Sequence, residues 1–388
     1  MFGLLGKKLG HSFSKTIHEE FTNTQYELIE VEELDQFFNN VQFTGLNVTI
    51  PYKQAVIKYL DELSTEAKEI GAVNTIIFRS GKLIGYNTDY FGLSKALSNN
   101  NISVTNKTII IMGNGSTSRT ISYYCSKNLA EKVIILARNP KENEYNFSDV
   151  DNFKTADIIF NATPVGMFPN HNQDQLLNLE MFPNLTSVVD VVYNPLRSNL
   201  LIEAERLGKT TVNGLSMLIY QAVKSIELFH NTKIDDNLID IYYRKLLLQK
   251  KNLVFIGMPM SGKSFFSRLC STKYNKILVD IDNEIVKYTG NSISNIFYNQ
   301  GEKYFREVES NIISEYYKLN NQAISCGGGV ILNEENMVNL KQNGIILFID
   351  TGCENKHKTC KECLDKIIRK NNLCPFCRDY CSKESSVS

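Results

Sequence analysis

The chain has 388 residues, of which 43% are hydrophobic and 22% charged, and its formal net charge is zero. A chain of this length predicts two or three domains, each large enough to bury its own core. The balanced charge argues against binding to nucleic acid or to a membrane surface through overall electrostatics. The sequence shows neither a signal-like first segment nor an apolar run of about 18 residues, so we expect a cytoplasmic protein without a membrane span.

Short β-rich runs alternate with helical patterns along the chain, which predicts an α/β fold with parallel sheets. In the first 100 residues we predict strands at Tyr26–Val31, Gly45–Ile50 and Thr75–Arg79, and helices at Ser14–Phe21, Val56–Leu60 and Gly92–Ser98. In a second unit we predict strands at Thr108–Met112, Lys132–Leu136, Asp157–Asn161 and Ser187–Val191, and helices at Ser118–Leu129, Leu215–Phe229 and Asp235–Gln249. A third unit begins at Leu253, and its last clear strand is Ile345–Ile349.

Two glycine-rich loops of different design each follow an apolar strand. The first has the position of a dinucleotide fingerprint and consists of Gly113, Asn114, Gly115, Ser116, Thr117 and Ser118. Ser118 replaces the third glycine, but a small residue there still permits close packing of the helix on the strand. The second loop, Gly257–Ser264, matches the nucleoside-triphosphate loop in full. We therefore expect two nucleotide-using units, one for a pyrophosphate on a helix N-terminus and one for a triphosphate with Mg²⁺.

The strand after the first loop ends in Ala137-Arg138. An acid near this point is typical of folds that prefer NAD, whereas an arginine can bind a 2′-phosphate. The sequence therefore favours NADP over NAD, with Arg138 at the phosphate.

Three polar clusters lie before the first loop, at Asn47–Lys53, Gly71–Thr75 and Gly85–Asp89. Clusters of this kind at strand ends stand where open α/β sheets bind ligands. The same residue types are also typical of turns, and a surface pair of Lys53 and Asp89 that supports a turn is the alternative interpretation.

Over roughly residues 1–245 these blocks make the sequence resemble the shikimate dehydrogenases. Further blocks of the resemblance are Ser12-Phe13-Ser14, Asn161–Met167, Asp190–Pro195 and Gly214–Gln221. The resemblance implies reduction of a ring ketone with hydride from NADPH, in which Lys53 supplies the proton to the developing alkoxide and Asp89 holds the lysine. Lys15, in place of the family's usual proline, and the altered glycine loop are departures that affect our expectation of cofactor affinity and not of the reaction.

The same resemblance implies the residues that contact the ligands. For the substrate they are Ser12, Ser14, Thr49, Asn74, Asn87, Tyr193 and Gln221. For NADP they are Gly113, Asn114, Gly115, Ser116, Thr117, Ser118, Arg138, Thr163, Val191, Gly214 and Met217.

Residues 253–350 are similar to the shikimate kinases, through the triphosphate loop, Phe305-Arg306-Glu307-Val308-Glu309 and Gly327-Gly328-Gly329. The expected ATP-binding residues are Gly257, Met260, Ser261, Gly262, Lys263, Ser264 and Phe265, with Mg²⁺ at Ser264 and Asp280. The resemblance implies that Asp282, Arg306 and Gly328 bind the substrate, although two acids after a strand are also typical of a helix N-cap. The family's lid arginine and a later carboxylate-binding arginine have no counterpart, so we expect the domain to retain ATP binding and to lose most of its catalytic activity.

The last part of the chain concentrates cysteine and histidine. Cys353, His357, Cys360, Cys363, Cys374 and Cys377 have the spacing C-x3-H-x2-C-x2-C-x10-C-x2-C. Sulfur and imidazole at such spacings suit tetrahedral Zn²⁺, and the run is similar to the later three-quarters of a RING finger. Disulfides are the alternative, which the expected reducing compartment disfavours.

Together these patterns predict four segments. They are a substrate-binding and catalytic domain at 1–100, a Rossmann NADP domain at 101–245 whose last helices return to the first, a truncated shikimate-kinase-like P-loop domain at 250–350, and a partial RING-like zinc tail at 351–388. The main interpretation is an NADP-dependent shikimate dehydrogenase that acts on small molecules in aromatic amino acid biosynthesis. The alternatives are a bifunctional dehydrogenase and kinase, and an adaptor whose tail recruits a ubiquitin-conjugating partner.

Overall fold

The computed structural model describes residues 1–9, 13–167, 176–259 and 261–349. The chain divides into two compact units, Met1–Tyr243 and Arg244–Ser388. Within the described residues, no helix has the length and apolar character needed to cross a membrane.

The first sheet of the first unit has six strands in the order β2-β1-β3-β5-β6-β4. The strands are β1 (Phe2–Gly6), β2 (Tyr26–Glu30), β3 (Gly45–Val48), β4 (Glu62–Leu63), β5 (Thr75–Arg79) and β6 (Lys82–Tyr86). β1 pairs in parallel with β2 and β3, whereas β5 is antiparallel to both β3 and β6. The accompanying helices are α1 (Phe13–Thr22), α2 (Leu34–Asn40), a 3₁₀ helix (Ala55–Tyr59), α3 (Thr65–Ile70) and α4 (Thr88–Asn99).

The second sheet of this unit is parallel, with five strands in the order β11-β10-β9-β7-β8. The strands are β7 (Thr108–Met112), β8 (Lys132–Leu136), β9 (Ile158–Asn161), β10 (Ser187–Asp190) and β11 (Thr210–Val212). The helices are α5 (Ser116–Lys127), α6 (Asn199–Arg206) and α7 (Gly214–His230), with 3₁₀ helices at Phe147–Phe153 and Leu179–Met181. β9 and β10 are buried along their whole length, as expected of parallel strands covered on both faces. α7 packs against α4 and α1. Buried residues of α4, such as Leu93 and Leu97, share one core cluster with Ile109 of β7 and Phe160 of β9.

The second unit contains a four-stranded parallel sheet in the order β13-β14-β12-β15. Its strands are β12 (Asn252–Ile256), β13 (Ile277–Asp280), β14 (Gln322–Ser325) and β15 (Gly344–Phe348). The helices are α8 (Asp236–Lys250), which spans the division between the units, α9 (Lys263–Tyr274), α10 (Ile281–Thr289), α11 (Ile293–Tyr316), a 3₁₀ helix (Val330–Leu332) and α12 (Glu334–Asn343). α11 consists of two helical segments that meet at Gly301, where φ is 81°. The α/β class expected from the sequence is confirmed.

The structure corrects several element predictions. The helix expected at Val56–Leu60 is a 3₁₀ helix. Thr88 and Asp89, expected in a turn, are the first residues of α4, because the Asn87 side chain accepts a hydrogen bond from Tyr90 N and caps the helix. Polar residues that favour turns also favour helix N-caps, so the sequence pattern alone did not separate the two.

Candidate functional site

A cavity of about 250 Å³ lies in the first unit, lined by strands of the first sheet and by loop and helix residues that follow strands of the second. The sequence-predicted residues that line it are Ser14, Thr49, Lys53, Asn74, Asp89, Thr117, Val191, Tyr193, Gly214, Met217 and Gln221. Residues assigned to two different ligands thus meet in one space. A substrate and the reactive end of a dinucleotide would be neighbours there.

The Lys53–Asp89 pair is the strongest charge feature of the cavity. Lys53 follows β3, and Asp89 lies in the first turn of α4, where the helix dipole favours a negative charge. Lys53 Nζ donates to Asp89 Oδ2 at 2.6 Å. The two side chains are only 14% and 10% exposed, so the pair is not a surface salt bridge that supports a turn.

Asn74 fixes the other oxygen of Asp89. Its Oδ1 accepts from Thr88 N at 2.7 Å, and because a backbone N–H can only donate, the orientation of the amide is determined. Its Nδ2 therefore faces Asp89 Oδ1, at 2.9 Å. Both carboxylate oxygens of Asp89 accept hydrogen bonds, which leaves Lys53 with a partner of fixed position.

Asn87, predicted to contact the substrate, makes hydrogen bonds within the protein. Its side chain caps α4 and donates from Nδ2 to Ala72 O at 3.0 Å. It is buried and is not one of the residues that line the cavity. The structure thus shows Asn87 in hydrogen bonds that hold the backbone around the pair.

The glycine loop after β7 has the geometry of an anion site. Gly113 has a φ of 98°, and a Cβ there would lie 2.9 Å from Thr163 Cγ2, so the position requires glycine. α5 begins after Gly115 without a side-chain cap, and Ser116 Oγ, in the described part of the chain, has no hydrogen-bond partner. Unpaired N–H groups and a free hydroxyl at a helix N-terminus fit a pyrophosphate.

The turn after β8 lies beside this loop. Asn114 Nδ2 donates to Asn139 O at 3.0 Å and to Glu144 Oε2 at 2.8 Å, which ties the loop to the turn. Arg138 is exposed, and among the described residues its guanidinium has no ion-pair or hydrogen-bond partner. The side chain is therefore available for an anionic group.

The buried carboxylate of Asp190 connects the loops that follow β9 and β10 of the second sheet. Asp190, fully buried, accepts from Asn161 Nδ2 at 2.9 Å, from Val192 N at 2.9 Å, and from Ser198 Oγ. Burial raises the pKa of Asp190 to about 6. Asn161 Oδ1 in turn accepts from Thr163 N at 3.0 Å and from Thr163 Oγ1 at 2.6 Å. The predicted cofactor residue Thr163 is thus held indirectly by Asp190.

Several residues around the pair were given no individual role from the sequence, although Asn47 and Thr75 lie in two of the predicted polar clusters. Asn47 and Leu218 line the cavity, and Thr75 and Ser225 lie buried behind it. Ser225 is a polar residue on the buried face of α7, among apolar side chains such as Ile226. A buried polar residue on an apolar helix face was the available signal.

The triphosphate loop of the second unit leads into α9. Gly262, with a φ of 88°, precedes the helix, and Lys263 Nζ donates to Met258 O at 2.7 Å. The pKa of Lys263 is lowered, mainly by burial. Ser264 Oγ donates to Asp280 Oδ2 at 3.1 Å, and Ser261 Oγ is buried without a partner in the described part. Hydroxyl, carboxylate and ammonium groups of this kind fit a triphosphate with Mg²⁺.

The predicted ATP residues Gly257 and Phe265 also lie in this loop region, with Phe265 67% exposed. Asp280 serves two purposes, because its side chain also accepts from Asn283 N at 3.3 Å and caps α10. The N-cap interpretation is confirmed for Asp280, and its predicted role at Mg²⁺ stays a prediction.

Arg306 and the glycine run form the other side of this site. Arg306 Nη1 donates to Glu309 Oε2 at 2.8 Å, and Glu309 is fully buried. A Cβ at Gly329 would lie 2.2 Å from Arg306 Nη2, so a side chain there would force the guanidinium to move. At Gly328 a Cβ would lie 2.8 Å from Pro259 Cδ of the triphosphate loop. The pKa of Asp282 is raised, mainly by burial and also by Asp280.

Comparisons with known proteins decide the family of the first unit. Residues 4–76 match the model of the shikimate dehydrogenase substrate binding domain. A shikimate dehydrogenase (NADP(+)) of Clostridium beijerinckii is 35% identical over 260 residues, which is 62% of this chain and 96% of the relative. One from Methanococcus maripaludis strain C7 is 37% identical over 275 residues, or 65% of this chain and 96% of that protein. The chain belongs to the shikimate dehydrogenase family.

Solved structures of the shikimate dehydrogenase family agree with the fold. Shikimate dehydrogenase 1 from Peptoclostridium difficile has a TM-score of 0.58 and 37% identity, and the match covers 63% of this chain and 97% of that chain. Quinate dehydrogenase from Corynebacterium glutamicum, in complex with NAD, has a TM-score of 0.56 and 27% identity, with 63% and 98% covered.

The rest of the chain has a separate relationship. Residues 259–372 match the family model described as shikimate kinase. The match continues beyond the last described residue and overlaps four predicted zinc ligands, Cys353, His357, Cys360 and Cys363. A shikimate dehydrogenase joined to a shikimate-kinase segment is therefore confirmed.

Some predicted residues lie outside the described ones. They are Ser12, Met260, Cys353, His357, Cys360, Cys363, Cys374 and Cys377. In the part of the chain that is described, no three histidine, cysteine, aspartate or glutamate side chains form a group that could hold a metal ion. The zinc tail stays a prediction.

Proposed function

We propose that the first unit is an NADP-dependent shikimate dehydrogenase that reduces 3-dehydroshikimate to shikimate reversibly. The observation that carries the proposal is the nearly buried Lys53–Asp89 pair, at 2.6 Å, on the wall of the cavity. The curated relatives, which this chain matches over nearly their full length, are named for that activity with NADP⁺.

In this reaction NADPH, when bound, supplies the hydride to the carbonyl carbon. Protonated Lys53 would donate a hydrogen bond from Nζ to the carbonyl oxygen and then transfer the proton as negative charge develops there. Asp89 keeps the ammonium in place and stabilises it. Lys53 afterwards regains a proton from solvent, and oxidation of shikimate runs through the same steps in reverse.

We propose the remaining roles from the family resemblance. Ser12 and Ser14 would hold the substrate carboxylate, and Thr49, Asn74 and Gln221 its hydroxyl groups. The residues present fit NADP: the loop from Gly113 to Ser118 offers an uncapped helix N-terminus for the pyrophosphate, and Arg138 offers an unpaired guanidinium for the 2′-phosphate.

The test is reduction of NADP⁺ by the whole chain with shikimate, with quinate and with neither, followed by the absorbance of NADPH. We expect turnover that depends on shikimate. A folded chain that binds NADP⁺ but oxidises neither acid would contradict the proposal and favour the adaptor alternative.

For the second unit we propose binding of ATP with Mg²⁺ and weak or absent phosphoryl transfer. The contact between Ser264 and Asp280 and the shikimate-kinase match support the binding site. We expect no counterpart of the family's lid arginine and later carboxylate-binding arginine, and without them the negative charge of the transition state would be stabilised only in part. Calorimetric titration of the whole chain with ATP–Mg²⁺, beside a phosphoryl-transfer assay on shikimate, separates binding from catalysis. Full kinase turnover would support the bifunctional alternative.

We propose the segments 1–100, 101–245, 250–350 and 351–388 as functional divisions. The tail has two competing assignments, because the shikimate-kinase match reaches residue 372 and the zinc pattern begins at Cys353. The zinc content of the purified chain tests the second assignment, and a zinc-free protein would end the case for a ubiquitin-conjugating partner.

A further inference from the structure

We propose that Ser225 is a positioning residue for the catalytic pair, a role that rests on the function proposed for Lys53 and Asp89. Ser225 lies on α7 and is fully buried, 0% exposed. It comes one helical turn after Gln221, which lines the cavity. Its hydroxyl joins a group of polar side chains behind the cavity wall.

The hydroxyl of Ser225 has four polar neighbours. Asn47 Nδ2 is 2.8 Å away, Thr75 Oγ1 2.8 Å, Thr88 Oγ1 3.1 Å and the carbonyl oxygen of Gln221 3.0 Å. Three of these residues come from the β3, β5 and α4 region of the first sheet's layer, whereas Ser225 belongs to α7. Ser225 therefore bonds α7 to the residues around the pair, in addition to the longer contact of Asn74 Nδ2 with Gln221 Oε1 at 3.4 Å.

The chemistry of the neighbours sets the direction of the hydrogen bonds. The carbonyl of Gln221 can only accept, so the single proton of Ser225 points to it. Asn47 Nδ2 also lies 3.3 Å from the carbonyl of Asn74, which identifies this atom as the amide nitrogen, and it donates to Ser225. Ser225 Oγ then has one acceptor position left, which either Thr75 or Thr88 can fill. Thr75 can instead donate to Asn74 Oδ1 at 3.2 Å, which leaves the position to Thr88.

Thr88 is the hydroxyl that links this position to the catalytic pair. When Thr88 donates to Ser225, its oxygen is free to accept from Asn74 Nδ2, which lies 3.0 Å away. The same Asn74 amide donates to Asp89 Oδ1 at 2.9 Å. Ser225 thus orients the Thr88 hydroxyl, and this hydroxyl orients the Asn74 amide. The amide holds Asp89, which in turn holds Lys53.

Loss of the Ser225 hydroxyl would leave the Thr88 proton and the Asn47 amide in search of other acceptors. Asn74 Oδ1 is near Thr88 Oγ1, at 3.2 Å, and is already occupied by Thr88 N. An amide oxygen can accept a second hydrogen bond, so the Thr88 proton would move to Asn74 Oδ1. The Thr88 oxygen that Asn74 Nδ2 meets would then be reoriented, and the amide would hold Asp89 less firmly. The cofactor loop, Gly113–Ser118, lies on the second sheet, so the effect should fall on turnover and not on NADP⁺ binding.

The experiment compares Ser225→Ala with Ser216→Ala and Lys53→Ala in the whole chain. Ser216 is a matched control, because it is buried on the same helix and its hydroxyl has no hydrogen-bond partner among the described residues. We expect Ser225→Ala to lower kcat about tenfold, which corresponds to about 1.4 kcal/mol, with an unchanged KM for NADP⁺. Ser216→Ala should keep the wild-type kcat.

A second pair guards against a folding defect. Thr88→Val removes the linking hydroxyl with little change of shape, whereas Thr88→Ser retains it; we expect only the valine variant to lose turnover. Equal kcat for Ser225→Ala and Ser216→Ala, or for the two Thr88 variants, would overturn the inference. If Lys53→Ala itself keeps normal turnover, the proposed function fails, and the two failures are thereby distinguished.

Discussion

The two units each place one nearly buried lysine at a ligand site, and the lysines have different partners. Lys53 bonds to the carboxylate of Asp89 at 2.6 Å, whereas Lys263 donates to the backbone carbonyl of Met258 at 2.7 Å. The first lysine has its counter-charge in the protein. The second is held by its own loop, and burial lowers its pKa because the nearby acids compensate only in part. The first site is preorganised for chemistry, and the second is prepared to receive an anion.

The carboxylates show the same contrast. Both oxygens of Asp89 accept hydrogen bonds, from Lys53 and from Asn74. In the second unit, Glu309 Oε2 accepts a hydrogen bond from Arg306 Nη1. Glu309 Oε1 is buried and has no hydrogen-bond partner in the described part of the chain. Burial raises the pKa of Glu309 and of Asp282. Polar groups left incomplete in this way are expected where a ligand completes them.

The comparison predicts that loss of Lys53 affects turnover and spares binding. We expect Lys53→Ala to lower kcat for shikimate oxidation by about 10²- to 10⁴-fold, because the proton donor and the charge at the reacting oxygen are both removed. The Kd for NADP⁺, from fluorescence titration of NADPH, should stay near that of the wild type. Lys58→Ala is the control, since Lys58 forms an exposed pair with Asp35 at 3.3 Å and should be silent. Near-normal turnover of Lys53→Ala would refute its catalytic role.

The sequence predicted the pair and the two nucleotide loops because each is carried by a short, local motif. Ser225 was not predictable in this way, since its partners Thr88 and Asn47 are 137 and 178 residues distant in the chain. Asn87 was predicted as a site residue from its motif, but its hydrogen bonds were not predictable. The motif places it correctly beside Asp89, but only the structure shows its amide in a helix cap and on Ala72 O. Local sequence patterns identify the reactive residues. The hydrogen bonds that orient their side chains depend on packing between elements that are distant in the sequence.

The first unit also differs from the second in its sensitivity to acid. His18 is buried and stacks on Tyr26 with ring centroids 4.1 Å apart, and burial lowers its pKa to about 3. The described part of the second unit contains no histidine. Because the unfolded chain protonates this histidine near pH 6.5 and the folded one does not, stability falls as the pH drops from about 6.5 to about 3. The loss is about 5 kcal/mol at most.

Replacement of His18 by phenylalanine keeps an aromatic ring on Tyr26 and removes the titration. We expect the free energy of unfolding of His18→Phe, from urea titrations followed by circular dichroism, to decline less than that of the wild type below pH 6.5. Both proteins contain the same second unit, so the difference between their pH curves isolates His18. Parallel curves would show that the buried imidazole does not govern acid stability.

For the second unit the comparison predicts the reverse of the Lys53 result. Lys263→Ala should weaken the affinity for ATP–Mg²⁺ about tenfold or more, because the ammonium meets the phosphates directly. Shikimate oxidation should be unaffected. Lys273→Ala, at an exposed position on the same helix, is the matched control in calorimetric titration. Unchanged ATP affinity in Lys263→Ala would mean that the loop does not bind a triphosphate in the manner its sequence indicates.

The smallest expected effect concerns the choice of cofactor. Arg138 is exposed, with no ion-pair or hydrogen-bond partner for its guanidinium among the described residues, so its replacement should cost little stability. We expect Arg138→Ala to raise the KM for NADP⁺ about tenfold, because one charge-assisted contact to the 2′-phosphate is lost. NAD⁺ has no such phosphate and serves as the internal control, since its KM should stay constant. An equal rise for both cofactors would place Arg138 at the part they share, and the preference for NADP would then need another residue near the Asn114 turn.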